Sequence, residues 1–193
     1  MIFEYALGGF QIHCEAGGRK GVRIRPTTDS LWSSNITPTR SITPHFLALT
    51  STCRQVRSET ALLPFRLNSF GEFYHFPRDD GNVGLLPKLL NRLSKAQKSE
   101  ITTIYTHPMI MIAGSGSWFE FPEVRMNPDY VKKAYAVLGQ LHGLKHVVLQ
   151  LEAQGASYRS RDFPKAVRGV RTFTRRMDTT IVWDEGGHRI AWK

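Results

Sequence analysis

Apolar residues follow two rhythms in this chain, and each switch between them marks an element boundary. Leu49, Cys53, Val56, Thr60 and Leu63 recur every three or four positions, the period of one helical face. Thr50 or Ser51 is placed to cap this helix, and Pro64 predicts its end. A strand over 70–76 is expected next, dense in Phe70, Phe73, Tyr74 and Phe76. After a turn at 77–81, Leu86, Leu89, Leu90 and Leu93 predict a second amphipathic helix. Residues 100–105 read as a strand, and Met109–Ala113 as its continuation or its re-entry into the sheet. Asn127, Pro128 and Asp129 together make a helix start: a side-chain cap, a proline in the first turn and an acid at the positive end. Val131, Ala134, Leu138 and Leu141 form the apolar stripe of that helix, Gly143 ends it, and 146–151 is the following strand.

Alternation of period two brackets this middle region. Ile12 and Cys14 lead into a glycine turn and Val22 and Ile24 return, closed by Pro26. Near the other end, Ile181 and Trp183 run into 184–187, and Ile190 and Trp192 come back. Residues 27–45, rich in Thr, Ser and Pro, read as a long surface loop. Helices between strands favour parallel pairing, because parallel neighbours need a crossover connection. The expected fold class is therefore α/β: a small mixed sheet with helical crossovers, leucine-rich-repeat-like in part, with a β-hairpin near each end. The strand spacings are too uneven for a true repeat array. One domain over 1–193 accommodates all of it.

A family resemblance rests on the first helix. Leu49-Thr-Ser-Thr-Cys53-Arg54-Gln55-Val56-Arg57-Ser58-Glu59 resembles the Leu-Thr-Cys-Arg-Gln-(Ile/Val)-x-Ser-Glu-Ala signature of a large fungal group of F-box-like proteins. Three further segments resemble that group in order: 2–9, 93–101 and 141–149. The family's opening helix usually begins with a Leu-Pro-x-Glu-(Ile/Leu)-Arg pattern, and this sequence starts after that point. The resemblance implies a non-enzymatic, intracellular protein-interaction module, in one form a degenerate substrate adaptor of a ubiquitin ligase. Docking to such a ligase would then fall to Ile2, Phe3, Tyr5 and Leu7. Cytoplasm or nucleus is the implied compartment.

Composition narrows the classes without naming one. Of 193 residues, 41% are hydrophobic and 22% charged, as in an ordinary globular chain. Two cysteines, Cys14 and Cys53, make no disulfide framework and read as reduced, buried thiols. No stretch approaches the run of about 20 apolar residues that a membrane span requires. Net charge is +10, and nine Lys or Arg face four Asp or Glu between Tyr158 and Lys193.

That basic segment supplies the alternative reading. A helix over 161–177 would put Val167, Val170, Phe173 and Met177 on one side and Lys165, Arg168, Arg171, Arg175 and Arg176 on the other. Arginines one turn apart suit successive phosphates, and Tyr158, Phe173, Trp183 and Trp192 offer stacking surfaces for unpaired bases. Nucleic acid is thus the second partner class beside protein.

Catalytic patterns are missing. His142 and His146 have zinc spacing, but Gly143 separates them. Residues 114–118 are glycine-rich without the Lys-Ser/Thr ending of a phosphate loop. Cys53 sits on an apolar helix face rather than beside an activating base. No catalytic, cofactor or metal residues are assigned.

Overall fold

Why the middle of this chain becomes strand, helix, strand is visible in which residues the fold hides. The computed structural model describes residues 11–17, 21–27, 54–72, 85–114, 128–151, 162–185 and 188–192. Its strands are β1 (Gln11–Gly17), β2 (Gly21–Thr27), β3 (Ser69–Glu72), β4 (Thr103–Thr106), β5 (His146–Leu151), β6 (Thr180–Glu185) and β7 (His188–Trp192). Its helices are α1 (Arg54–Thr60), α2 (Leu63–Arg66), α3 (Leu85–Arg92), α4 (Lys95–Glu100), α5 (Pro108–Gly114), α6 (Pro128–Tyr135) and α7 (Phe163–Thr174), with a 3-10 segment at Ala136–Gln140.

The strands form one sheet in the order β2-β1-β3-β4-β5-β6-β7. β1, β3, β4, β5 and β6 run parallel, and β2 and β7 close the two edges as antiparallel hairpin partners. The α/β class, the mixed sheet and the hairpin near each end are as the sequence predicts. From β3 to β6 the strands joined by helical connections lie side by side in chain order, and the connections differ: α3 and α4 lie between β3 and β4, α7 alone among the described residues between β5 and β6.

One row of side chains explains the register. Ile12, Phe70, Ile104, Val147 and Ile181 are paired in turn from β1 to β6, and none is more than 1% exposed. Slipping any strand by one residue would turn its member of this row to the opposite face. Full burial of such a side chain contributes about 1.5–3 kcal/mol, so the pairing is strongly specified. Helices cover the row as a single layer: α3 meets β1, β3 and α6, and α5 meets both α6 and α7. Leu86, Leu90, Ile110, Val131, Val170 and Phe173 belong to the same core.

Three expectations need correcting. Met109–Ala113 is helix, not strand: Pro108 opens α5 and every residue from Met109 to Ala113 is buried. Pro64 does not end the signature helix. The helix is interrupted earlier, by a turn at residues 61–62, and Pro64 lies in the first turn of α2, where its missing N–H costs nothing. Residues 95–100 are helical, because Ser94 and Gln97 close a reciprocal capping box, so β4 begins only at Thr103. Leu49, Cys53, Phe73, Tyr74, Phe76 and the loop 27–45, apart from Thr27 in β2, lie outside the described residues.

Candidate functional site

The basic helix is shorter than its charge pattern suggests, and its end builds the most distinctive surface among the described residues. Asp162 precedes α7, Pro164 sits in its first turn, and Ala166, Gly169, Val170, Phe173 and Thr174 are buried. The helix stops at Thr174 because Arg175 takes a left-handed conformation, φ 55 and ψ 28. A non-glycine residue there costs about 1–2 kcal/mol, so the surroundings must hold it. They do: the Arg171 guanidinium donates to the carbonyl oxygens of Arg176, at 3.0 Å, and Thr179, at 2.9 Å. Arg176 in turn forks onto the Asp178 carboxylate and donates to the His142 carbonyl. The bond to Asp178 raises the pKa of Arg176, and the same fork holds Asp178 below the usual aspartate value.

The five proposed phosphate-binding cations therefore separate into different jobs. Arg171 and Arg176 tie the turn from α7 to β6 together. Lys165 bridges to Asp162 at 3.3 Å. Arg168 and Arg175 are exposed. Met177, expected in the apolar stripe, is instead 79% exposed, because the left-handed Arg175 ends the helix before Met177 can join that face. Phe173 is buried, and Trp183 and Trp192 pack on Phe163 with ring centroids 5.3 Å and 3.8 Å away. These rings are engaged in the core or its margin, while Tyr158 lies outside the described residues.

Two further loops join the α7–β6 turn. The backbone of Lys145 accepts from Thr180 N–H, and the N–H groups of Lys145 and His146 share the Thr102 carbonyl. Gly143 lies against the Ser99 carbonyl with no room for a Cβ, which fixes the loop before β5 onto α4. Lys98 at the end of α4 donates to the Gln140 side chain at 2.7 Å. The result is a rim at the amino ends of β5 and β6. It leaves His142, Lys145, His146, Arg175 and Met177 exposed, and the carboxylate of Asp178, next to Met177 in the chain, is held by Arg176.

Other expected site residues are not assembled. Ile2, Phe3, Tyr5, Leu7 and Cys53 lie outside the described residues, and Cys14 is buried. His142 and His146 are both exposed, and no group of three or more His, Cys, Asp or Glu side chains suited to a metal ion occurs among the described residues. Open parallel sheets usually bind small ligands where the strand order reverses, which in this sheet is between β1 and β3. No described helix is long and apolar enough to cross a membrane.

Two polar features escaped the sequence. His107, 7% exposed at the carboxyl end of β4, accepts the Met109 N–H on Nδ1, and burial lowers its pKa to about 4. On the opposite sheet face to the helices, Arg189 donates through Nε to Asp184 at 2.9 Å, and bonds to Asp184 and then Tyr105 raise its pKa. Only the hairpin register, which sets Asp184 opposite Arg189, foreshadowed this pair. No family model, curated protein or solved structure matches the chain.

Proposed function

We propose that the chain is a non-enzymatic protein-interaction module of the kind its resemblance to F-box-like proteins implies, and that it takes an acidic protein surface on the rim around Met177. The observation that carries this reading is the exposed Met177 on a rim that also exposes Lys145 and Arg175, where the Asp178 carboxylate is already paired with Arg176. An exposed, unbranched, polarisable side chain on a charged rim suits a hydrophobic anchor, and the charge on that rim sets the choice of partner. A protein partner is favoured over nucleic acid because Arg171 and Arg176 serve the fold and the nearby aromatic rings are engaged.

The test is affinity purification from native cells with nuclease-treated lysate, comparing the wild-type chain with a Lys145→Glu, Arg175→Glu, Met177→Asp triple variant. A partner that survives nuclease and is lost with the variant supports the reading. Recovery of ligase components would specify the adaptor form and turn attention to Ile2, Phe3, Tyr5 and Leu7. Material that disappears with nuclease, with a steep salt dependence relieved by Arg168→Ala and Arg175→Ala, would replace it with nucleic-acid binding.

A further inference from the structure

Charge is divided unevenly between the two layers of the fold. α3, α4, α6 and α7 carry nine Lys or Arg against two Asp or Glu, whereas the seven strands carry three Arg against four Asp or Glu. With a net charge of +10 on the whole chain, these four helices make the helical layer the basic side among the described residues.

The four helices share one neighbour. The 3-10 segment Ala136–Gln140 touches each of α3, α4, α6 and α7 and contains no charged residue. Arg92 on α3, Lys95 on α4, Lys132 and Lys133 on α6 and Arg168 on α7 are all exposed, as are Ala136 and Gln140 in the segment itself. The carboxylates of these helices do not cancel that charge. Asp129 lies 3.9 Å from Lys132 and is itself 91% exposed, and Glu100 is half-buried. Asp162 and Asp178, on either side of α7, are held by Lys165 and Arg176.

We propose that the outer face of this helical layer adsorbs to an anionic lipid surface. Cations spread over four elements with a common neighbour suit a broad, planar partner, and each Lys or Arg near such a surface adds to the attraction. Tyr130, 44% exposed and two residues before Lys132, adds an amphipathic ring of the kind that settles at headgroup level. A nucleic-acid duplex asks for an element that enters a groove, and a single strand asks for exposed rings to stack on. Here α3, α6 and α7 bury their apolar sides in the core, and Tyr130 is the one exposed aromatic residue on the four helices. Adsorption needs no spanning helix. It uses neither Met177 nor Lys145, so it does not rest on the rim.

The test is co-sedimentation of the full chain with vesicles of phosphatidylcholine, alone or with about 30% phosphatidylserine, at about 0.1 M salt. Binding is expected with the anionic vesicles only, and is lost at about 0.5 M salt as the screening length contracts. Each cation near the surface is worth about fivefold, so Lys132→Gln, Lys133→Gln and Arg168→Gln together weaken binding about a hundredfold. All three side chains are exposed, so the triple variant keeps the fold, checked by its unfolding midpoint. Lys133→Gln alone costs about fivefold, whereas Lys145→Gln, the same charge change on the rim, stays within about twofold. Equal binding to neutral vesicles, no binding to anionic ones, or equal losses from Lys133→Gln and Lys145→Gln overturns the proposal. Displacement from the vesicles by a DNA duplex at equal phosphate concentration overturns it too, assigning the face to nucleic acid.

Discussion

Gly169 on α7 lies directly against the main-chain carbonyl of Met111 on α5, with no space for a side chain between them. The two helices approach this closely because the contact is backbone to backbone, and a Cβ would meet Met111 O, C and Cα together. Backbone atoms cannot rotate away as a side chain can. Gly169→Ala is expected to destabilise the fold by about 3 kcal/mol, at the upper end of overpacking costs. Gly139→Ala, whose Cβ would lie 3.2 Å from the Phe173 carbonyl, should cost far less. Urea midpoints at constant slope measure both.

Arg171 and Arg168 are one turn apart on the same helix, yet they should behave differently. Arg171 satisfies two carbonyls in the turn that Arg175 opens, whereas Arg168 is exposed. Arg171→Ala is expected to cost about 1.5–3 kcal/mol, the range for hydrogen bonds made by a charged group. Arg168→Ala should stay within about 0.5 kcal/mol of wild type. Equal midpoints for the two variants would show that the turn does not depend on Arg171.

That contrast marks where sequence reading stopped. Leu86, Leu89 and Leu90, or Ile181 and Trp183 with Ile190 and Trp192, carry their period openly because one face is buried and the other is not. Met109–Ala113 carries no period, since all five residues are buried, and a short apolar run then fits strand or helix equally. Pro64 was legible as a boundary but not as a beginning. The rim was least legible: Arg168, Arg171, Arg175 and Arg176 have the same chemistry, and only the left-handed turn at Arg175 sorts the structural arginines from the exposed ones.

Ser94 and Gln97 give a local test of a boundary that the sequence misplaced. The Ser94 hydroxyl accepts the Gln97 N–H at 3.2 Å, and the Gln97 side chain accepts the Ser94 N–H at 2.9 Å. This box is what starts α4 and delays β4. Ser94→Ala should cost about 1 kcal/mol, and Ser94→Gly only a few tenths, because glycine also suits the capping position. Thermal or urea unfolding of the pair reads the difference.

His107 should make the fold sensitive to mild acid. Its pKa is about 4 in the folded chain and near 6.5 when unfolded, because burial disfavours the imidazolium. Above pH 6.5 the group is neutral in both states and has no effect. Between pH 6.5 and 4 the unfolded chain takes up a proton that the folded chain refuses, so stability falls as pH drops. Below pH 4 both states are protonated and the loss levels off at about 3 kcal/mol. Asp178 acts in another window, since its lowered pKa costs stability only below the usual aspartate value near 3.8. Unfolding midpoints at pH 7.5 and 4.5 should therefore separate strongly for wild type. His107→Gln, which keeps an acceptor for the Met109 N–H and does not titrate, should lose about 2–3 kcal/mol less between those two pH values. The same pH dependence in the variant would assign the acid sensitivity to other groups.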